Sequence, residues 1–315
     1  MSRPFTKPLD IRDTLTRKPP ALDHVLPGLL RGTVGMLAGP GGIGKTSLEL
    51  QIAMGLATGT PVLGGLFETL GIEVVPQPAR VVLVTPEEQA DVLAHKLHAV
   101  AKHLLRPVHD GGTCLSPTVF LERLASNLVL FAEDDVGSTT LLDARGRVSS
   151  GARGLLRAAR GARLVILDPL RQFHAGDEND SGAMNRAVRL LRQLAARSGA
   201  AVVFAHHTSR AATQLGVSDT SGAARGSTAL TDGVRWQLNL SQPTKEWAKM
   251  HGKDEAVRRH HVLLDIPKAN YLAPPSTKVL RRGPGGVLDW ASDLSAGGAS
   301  GLAAHRRQGV VRRVA

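Results

Sequence analysis

Cysteine is nearly absent: Cys114 is the only one in 315 residues. That excludes a disulfide framework and a cysteine-rich metal site, and it fits a reducing compartment such as the cytosol. Aromatic residues make up only 3% of the chain, so a platform that stacks successive nucleic-acid bases is poorly supplied. No apolar run approaches the length of a bilayer span, and no membrane segment is expected. The first twenty residues lack the apolar stretch of a signal peptide. Acidic residues are outnumbered by basic ones, which leaves a formal net charge of +12 at pH 7 and a pI near 10.6. Such a balance favours a polyanionic partner, most simply nucleic acid. The competing explanation is an arginine- and alanine-rich genomic bias.

The pattern that organises the chain is at residues 34–56. An apolar run at 34–38 reads as a buried strand. It is followed by Gly39, Pro40, Gly41, Gly42, Ile43, Gly44, Lys45 and Thr46, with Ser47 behind. This fits G-x-x-x-x-G-K-[ST] without departure. Leu48, Ile52 and Leu56 follow four residues apart, which predicts an amphipathic helix to about residue 55. The glycines let successive backbone N–H groups turn inward around an anion. The helix start adds free N–H groups and the positive end of a dipole. Lys45 is suited to the β and γ phosphates of ATP, and Thr46 to Mg²⁺.

Downstream, residues 81–84 read as a second buried strand, with Glu87 and Glu88 just past its end. A carboxylate at the carboxyl end of a strand can orient or deprotonate an attacking water. Two acids at a helix start also occur simply as decoration. His95, Lys96, His98, Lys102 and His103 predict a solvated helix face. Residues 106–127 read as loop-rich, 127–131 as a strand, 133–135 as an acidic loop and 151–163 as a basic helix. Residues 164–167 are apolar and end in Asp168, the pattern of a strand that delivers one carboxylate to Mg²⁺. A long polar loop then leads to a helix at 184–197. The strand at 200–205 ends in His206 and His207, suited to a phosphate sensor; the rival is zinc, disfavoured because neighbours on a strand point to opposite faces. Residues 208–224 read as disordered without a ligand, 225–236 as a short helix leading into a strand at 236–240, and 261–266 as a further strand. A hairpin is expected at 279–290, around Gly283 to Gly286.

These features occur in the order of the RecA fold. More specifically, the chain resembles the hexameric RepA-type replicative helicases of broad-host-range IncQ plasmids. The matching stretches include DPLRQFH, AHHTSR, ARGSTALTDGVRWQ and PKANY, and the likeness runs from about residue 19 to 290. It implies an α/β fold: a RecA-like P-loop core with a mostly parallel twisted sheet flanked by helices and a C-terminal antiparallel hairpin. The expected organisation is a flexible arm at 1–20, the ATPase domain at 21–290 and a basic tail at 291–315.

The same resemblance implies Glu87 as catalytic base, Asp168 as the second Mg²⁺ ligand and His206 as γ-phosphate sensor. Arg235 becomes an arginine finger reaching a neighbouring subunit, assisted by Lys268. Arg171 and Arg210, in the loops after Asp168 and His206, become grips on single-stranded DNA. The implied assembly is a homohexamer that moves 5′ to 3′, with primase and an origin initiator as partners. The rival readings are a recombination or repair ATPase, a regulatory RecA-fold ATPase and a metabolic phosphate-loop kinase. Residues 105–151 and the tail align with nothing in that family.

Overall fold

A computed structural model describes residues 8–63, 77–106, 115–136, 139–143, 145–178, 180–208, 228–273, 275–291 and 294. Helices are α1 (Ile11–Thr16), α2 (Lys45–Thr58), α3 (Ala90–Leu104), α4 (Pro117–Asn127), α5 (Glu133–Val136), α6 (Ser150–Ala158), α7 (Ser181–Ser198), α8 (Thr228–Gly233), α9 (Lys245–Met250) and α10 (Glu255–Arg259). Strands are β1 (His24–Leu26), β2 (Leu29–Leu30), β3 (Val34–Gly39), β4 (Val81–Val84), β5 (Leu128–Phe131), β6 (Leu164–Leu167), β7 (Ala201–His207), β8 (Trp236–Ser241), β9 (His261–Ala269), β10 (Lys278–Arg282) and β11 (Leu288–Trp290).

Nine strands form one sheet in the order β11-β10-β9-β8-β3-β7-β6-β4-β5. From β8 through β5 neighbours pair in parallel. From β8 to β11 they pair antiparallel. The sequence explains the division. β3, β4 and β6 are apolar along their length and buried at every position, as strands covered on both faces must be. On one face, Leu48, Leu50, Ile52 and Met54 of α2 pack with Leu164, Ile166 and Val203. On the other, Met184, Val188, Leu191 and Leu194 of α7 pack with Val165, Leu167 and Phe204.

Several expectations change. Helix α2 is not amphipathic: every residue from Ser47 to Thr58 is buried. Its outer side is covered by α3, α4 and the terminal hairpin. Helix α4 occupies part of the segment expected to be loop-rich. It begins at Ser116, whose side chain accepts from Val119 N, with proline in the first turn. It also serves α2, because Arg123 donates to Thr58 O at 2.8 Å and Asn127 to Ala57 O at 2.9 Å. Those are carbonyls a helix end leaves without an internal partner. The acidic loop is the short helix α5. Strands β7 and β9 run further than expected, to His207 and Ala269. The arm contains α1, capped by Asp10, yet no residue of that helix is buried. The expectations for residues 209–224, for Arg210 and for residues 295–315 lie outside the described residues. Among the described residues no helix is long and apolar enough to cross a membrane.

Candidate active site

The parallel register points four strand ends to the same side, with β3 and β7 running three residues beyond β6 and β4. Gly39 of β3 lies opposite His207 of β7. Leu167 of β6 lies opposite Phe204 and opposite Val84 of β4. The residues that follow are therefore gathered at one edge of the sheet: the glycine loop, Glu87, Asp168 and the two histidines.

The loop has the backbone its sequence demands. Gly42 and Gly44 have φ of +72° and +110°, values costly for side-chain-bearing residues. A β-carbon at Gly39 would lie 2.8 Å from Leu240 O, whereas at Gly41 or Gly42 it would meet nothing within 4 Å. The loop is thus pressed to the sheet at its start and open at its tip. Helix α2 begins at Gly44 with no side-chain cap, so its first N–H groups face the loop. That is the arrangement in which a phosphate fits.

Lys45 is buried and folds over the loop. Its Nζ lies 2.9 Å from Gly39 O, 3.1 Å from Pro40 O and 3.2 Å from His207 Nδ1. Burial lowers its pKa, opposed by Asp168, Glu49 and Glu87. Thr46 donates to Asp168 Oδ2 at 2.7 Å. A hydroxyl and one carboxylate at this spacing suit Mg²⁺, which keeps several waters and takes its other ligands from phosphate.

The two acids after β4 separate. Glu88 pairs with Lys96. Glu87 stays exposed and accepts from Gln172 Nε2 at 2.8 Å. Leu170 and Phe173 are buried and pin the turn after Asp168, while Arg171 and Gln172 face outward.

The two histidines point to opposite sides of β7. Val202 and Phe204 belong to the core beneath α7, and Ala201 and Val203 to the core beneath α2. By alternation His206 points to the α7 side and is buried, whereas His207 shares the side of Lys45. Burial and then the Lys45 charge hold His207 below the usual histidine value. A neutral imidazole can accept from the ammonium.

Arg235 and Lys268 are not at this edge. Trp236 lies opposite Gly35 of β3 and opposite Ala269 of β9, at the other end of the sheet. Four residues of strand separate Gly35 from Gly39, about 13 Å at the usual rise. Arg235 is exposed there. Lys268 donates to Thr231 O at 2.7 Å. Burial lowers its pKa, as do Arg235 and Arg192, against Asp232.

Sequence reasoning missed three features. Glu49 lies one turn beyond Thr46 and is 1% exposed; burial and Asp168 hold its carboxyl well above the usual carboxylate range. An acid inside an otherwise apolar helix was the available signal. The Gln172–Glu87 bond had none. Nor did Gln51, whose amide donates to Leu288 O at 2.7 Å and accepts from Leu288 N at 2.9 Å.

Fold and site together define a phosphate-loop nucleotide-binding protein with a RecA-like sheet. The chain belongs to the AAA domain family, whose sequence model matches residues 2–213. Among solved structures the fold is similar to a DnaB-like replicative helicase, described together with its interactions with primase (TM-score 0.55, 16% identity, 82% of this chain and 57% of that one). The present chain thus spans little more than half of that helicase. The fold is also similar to the ATPase domain of G40P (TM-score 0.52, 15% identity, 82% and 85% of the two chains). A third likeness is to the RadB recombinase (TM-score 0.45, 16% identity, 83% and 91%).

Proposed function

We propose that this protein is an ATP-driven DNA helicase working as a ring-shaped homohexamer on single-stranded DNA, in the replication of a plasmid or mobile element. One observation carries the reading. Lys45, the Thr46–Asp168 pair, Glu87 and His207 meet at one edge of the sheet, while Arg235 and Lys268 stand together at the opposite end. An arginine finger so placed can complete only another subunit's site.

Lys45 and the loop amides of residues 39–46 would hold the β and γ phosphates. Thr46 and Asp168 would hold Mg²⁺, which when bound neutralises charge on the phosphate oxygens. Glu87, kept in place by Gln172, would orient the attacking water and take its proton. His207 would sense the γ-phosphate through its contact with Lys45. Arg235, with Lys268 beside it, would stabilise charge on the transferred phosphoryl group of the neighbour. Arg171, in the turn after Asp168, and Arg210, three positions after β7 in sequence, would grip backbone phosphates without reading sequence. The family resemblance supports 5′ to 3′ movement and a cytoplasmic setting. The similar DnaB-like helicase is described with primase, which supports primase, and by extension an origin initiator, as partners.

The test joins native mass measurement, ATP turnover with and without single-stranded DNA, and unwinding of a forked duplex. A hexamer with DNA-stimulated turnover and strand separation is expected. A verified hexamer showing neither would overturn the helicase reading.

A further inference from the structure

The hairpin of β10 and β11 lies against α2 at two points and against α3 at a third. Gln51 makes its two bonds to the backbone of Leu288. A β-carbon on Gly286 would lie 3.3 Å from Ser47 Oγ, and one on Gly285 would lie 2.5 Å from Cβ of Ala99 in α3. Arg282 ends the first strand of this hairpin. A β-carbon built on Gly44 would lie 3.5 Å from Arg282 Nη1 and 3.5 Å from Leu288 Cδ1. The guanidinium therefore borders the phosphate loop at its last glycine.

Arg282 is half-buried. Burial lowers its pKa, with no acid near enough to offset that. None of the ion pairs among the described residues includes it. A partly desolvated cation without a counter-charge is unfavourable unless something anionic arrives. Lys45 is turned toward Gly39, Pro40 and His207, where the cleavage chemistry gathers. Arg282 borders the other end, at Gly44.

We infer that Arg282 is a second cationic contact for the nucleotide, made within the same subunit, to the phosphate nearest the nucleoside. The inference rests on the nucleotide reading above. It assigns the hairpin a binding role besides its packing role. Lys45 discriminates by the terminal phosphates; Arg282 meets the part that ATP and ADP share.

Calorimetric titration of the full chain with ATP and with ADP tests this, with thermal melting as a fold control. Arg282→Gln should weaken both nucleotides by the same factor, about ten-fold, as expected for loss of a charge-assisted hydrogen bond. Arg282→Lys should recover most of it. Unchanged affinity in Arg282→Gln would overturn the inference. So would Arg282→Lys binding as poorly as Arg282→Gln, which marks a packing role for the arginine shape. A loss confined to ATP would also overturn it, because the contact would then be to the terminal phosphate. If the wild-type chain binds neither nucleotide, the nucleotide reading itself fails, and that result is distinct from all of these.

Discussion

The ammonium of Lys45 stands 3.2 Å from Nδ1 of His207, across the parallel pair that sets Gly39 beside His207. In this arrangement the lysine is shared between loop carbonyls and an imidazole at the tip of the next strand. A phosphate that drew Lys45 away would also release His207, the last residue of β7. On the proposed reading, this contact would couple nucleotide state to the residues that follow β7.

His207→Ala should lower turnover roughly ten- to a hundred-fold, the range for loss of one positioned polar contact, while ATP affinity changes by less than about three-fold. His206→Ala should instead lower the melting temperature, since its side chain is buried on the α7 side of the sheet. Steady-state kinetics, calorimetry and melting curves on the two variants separate these outcomes. Equal kinetic loss in both with equal destabilisation would dissolve the distinction.

Glu49 gives a pH dependence with a definite sign. Its carboxyl is held well above the usual range by burial and by Asp168. The folded state therefore keeps a proton that the unfolded chain releases above its ordinary carboxylate value, and this contribution to stability falls as pH rises past that value. Glu49→Gln removes the titration. Its melting temperature relative to wild type should be higher at pH 8 than at pH 5, measured in metal-free buffer. A difference independent of pH would count against a buried protonated carboxyl.

Arg235 and Glu87 should complement between subunits. Arg235→Ala and Glu87→Gln are each expected to be nearly inactive as pure assemblies, with ATP binding retained. Mixed assemblies should regain turnover, because some interfaces then pair an intact Arg235 with an intact Glu87. Recovery would be read by titrating one variant into the other at constant total protein. A flat line would argue that each site is self-sufficient.

Helix α4 should stabilise the phosphate-loop helix from behind. Asn127→Ala removes the amide bonded to Ala57 O and should cost about 1 kcal/mol. Denaturant unfolding measures it, and nucleotide affinity per folded molecule should stay unchanged.

Much of the fold was legible because the buried parallel strands are short apolar runs that end in chemistry: Gly39, Glu87 and Asp168. A central strand covered on both faces admits little else, so residues 81–84 and 164–167 announced themselves. Helix α4 was not legible. Its apolar residues are spread over a sequence also rich in polar ones, and its tie to α2 is made by Arg123 and Asn127 reaching across the fold. The two histidines show a finer limit. Sequence places both at a strand end, but which one faces the loop depends on the phase of alternation set by neighbouring strands. Arg235 shows the reverse case. The family resemblance suggested a finger, and only the register of β8 on β3 shows that it stands away from its own subunit's loop.

The pair of hydrogen bonds from Gln51 to Leu288 spans 237 positions of chain. During synthesis the phosphate-holding helix leaves the ribosome long before the strand that closes its outer wall. A nascent chain, or one cut short by a premature stop before that strand, carries an intact glycine loop with an unfinished pocket. Competence to grasp fuel is thereby deferred until the strand that carries Leu288 has been made.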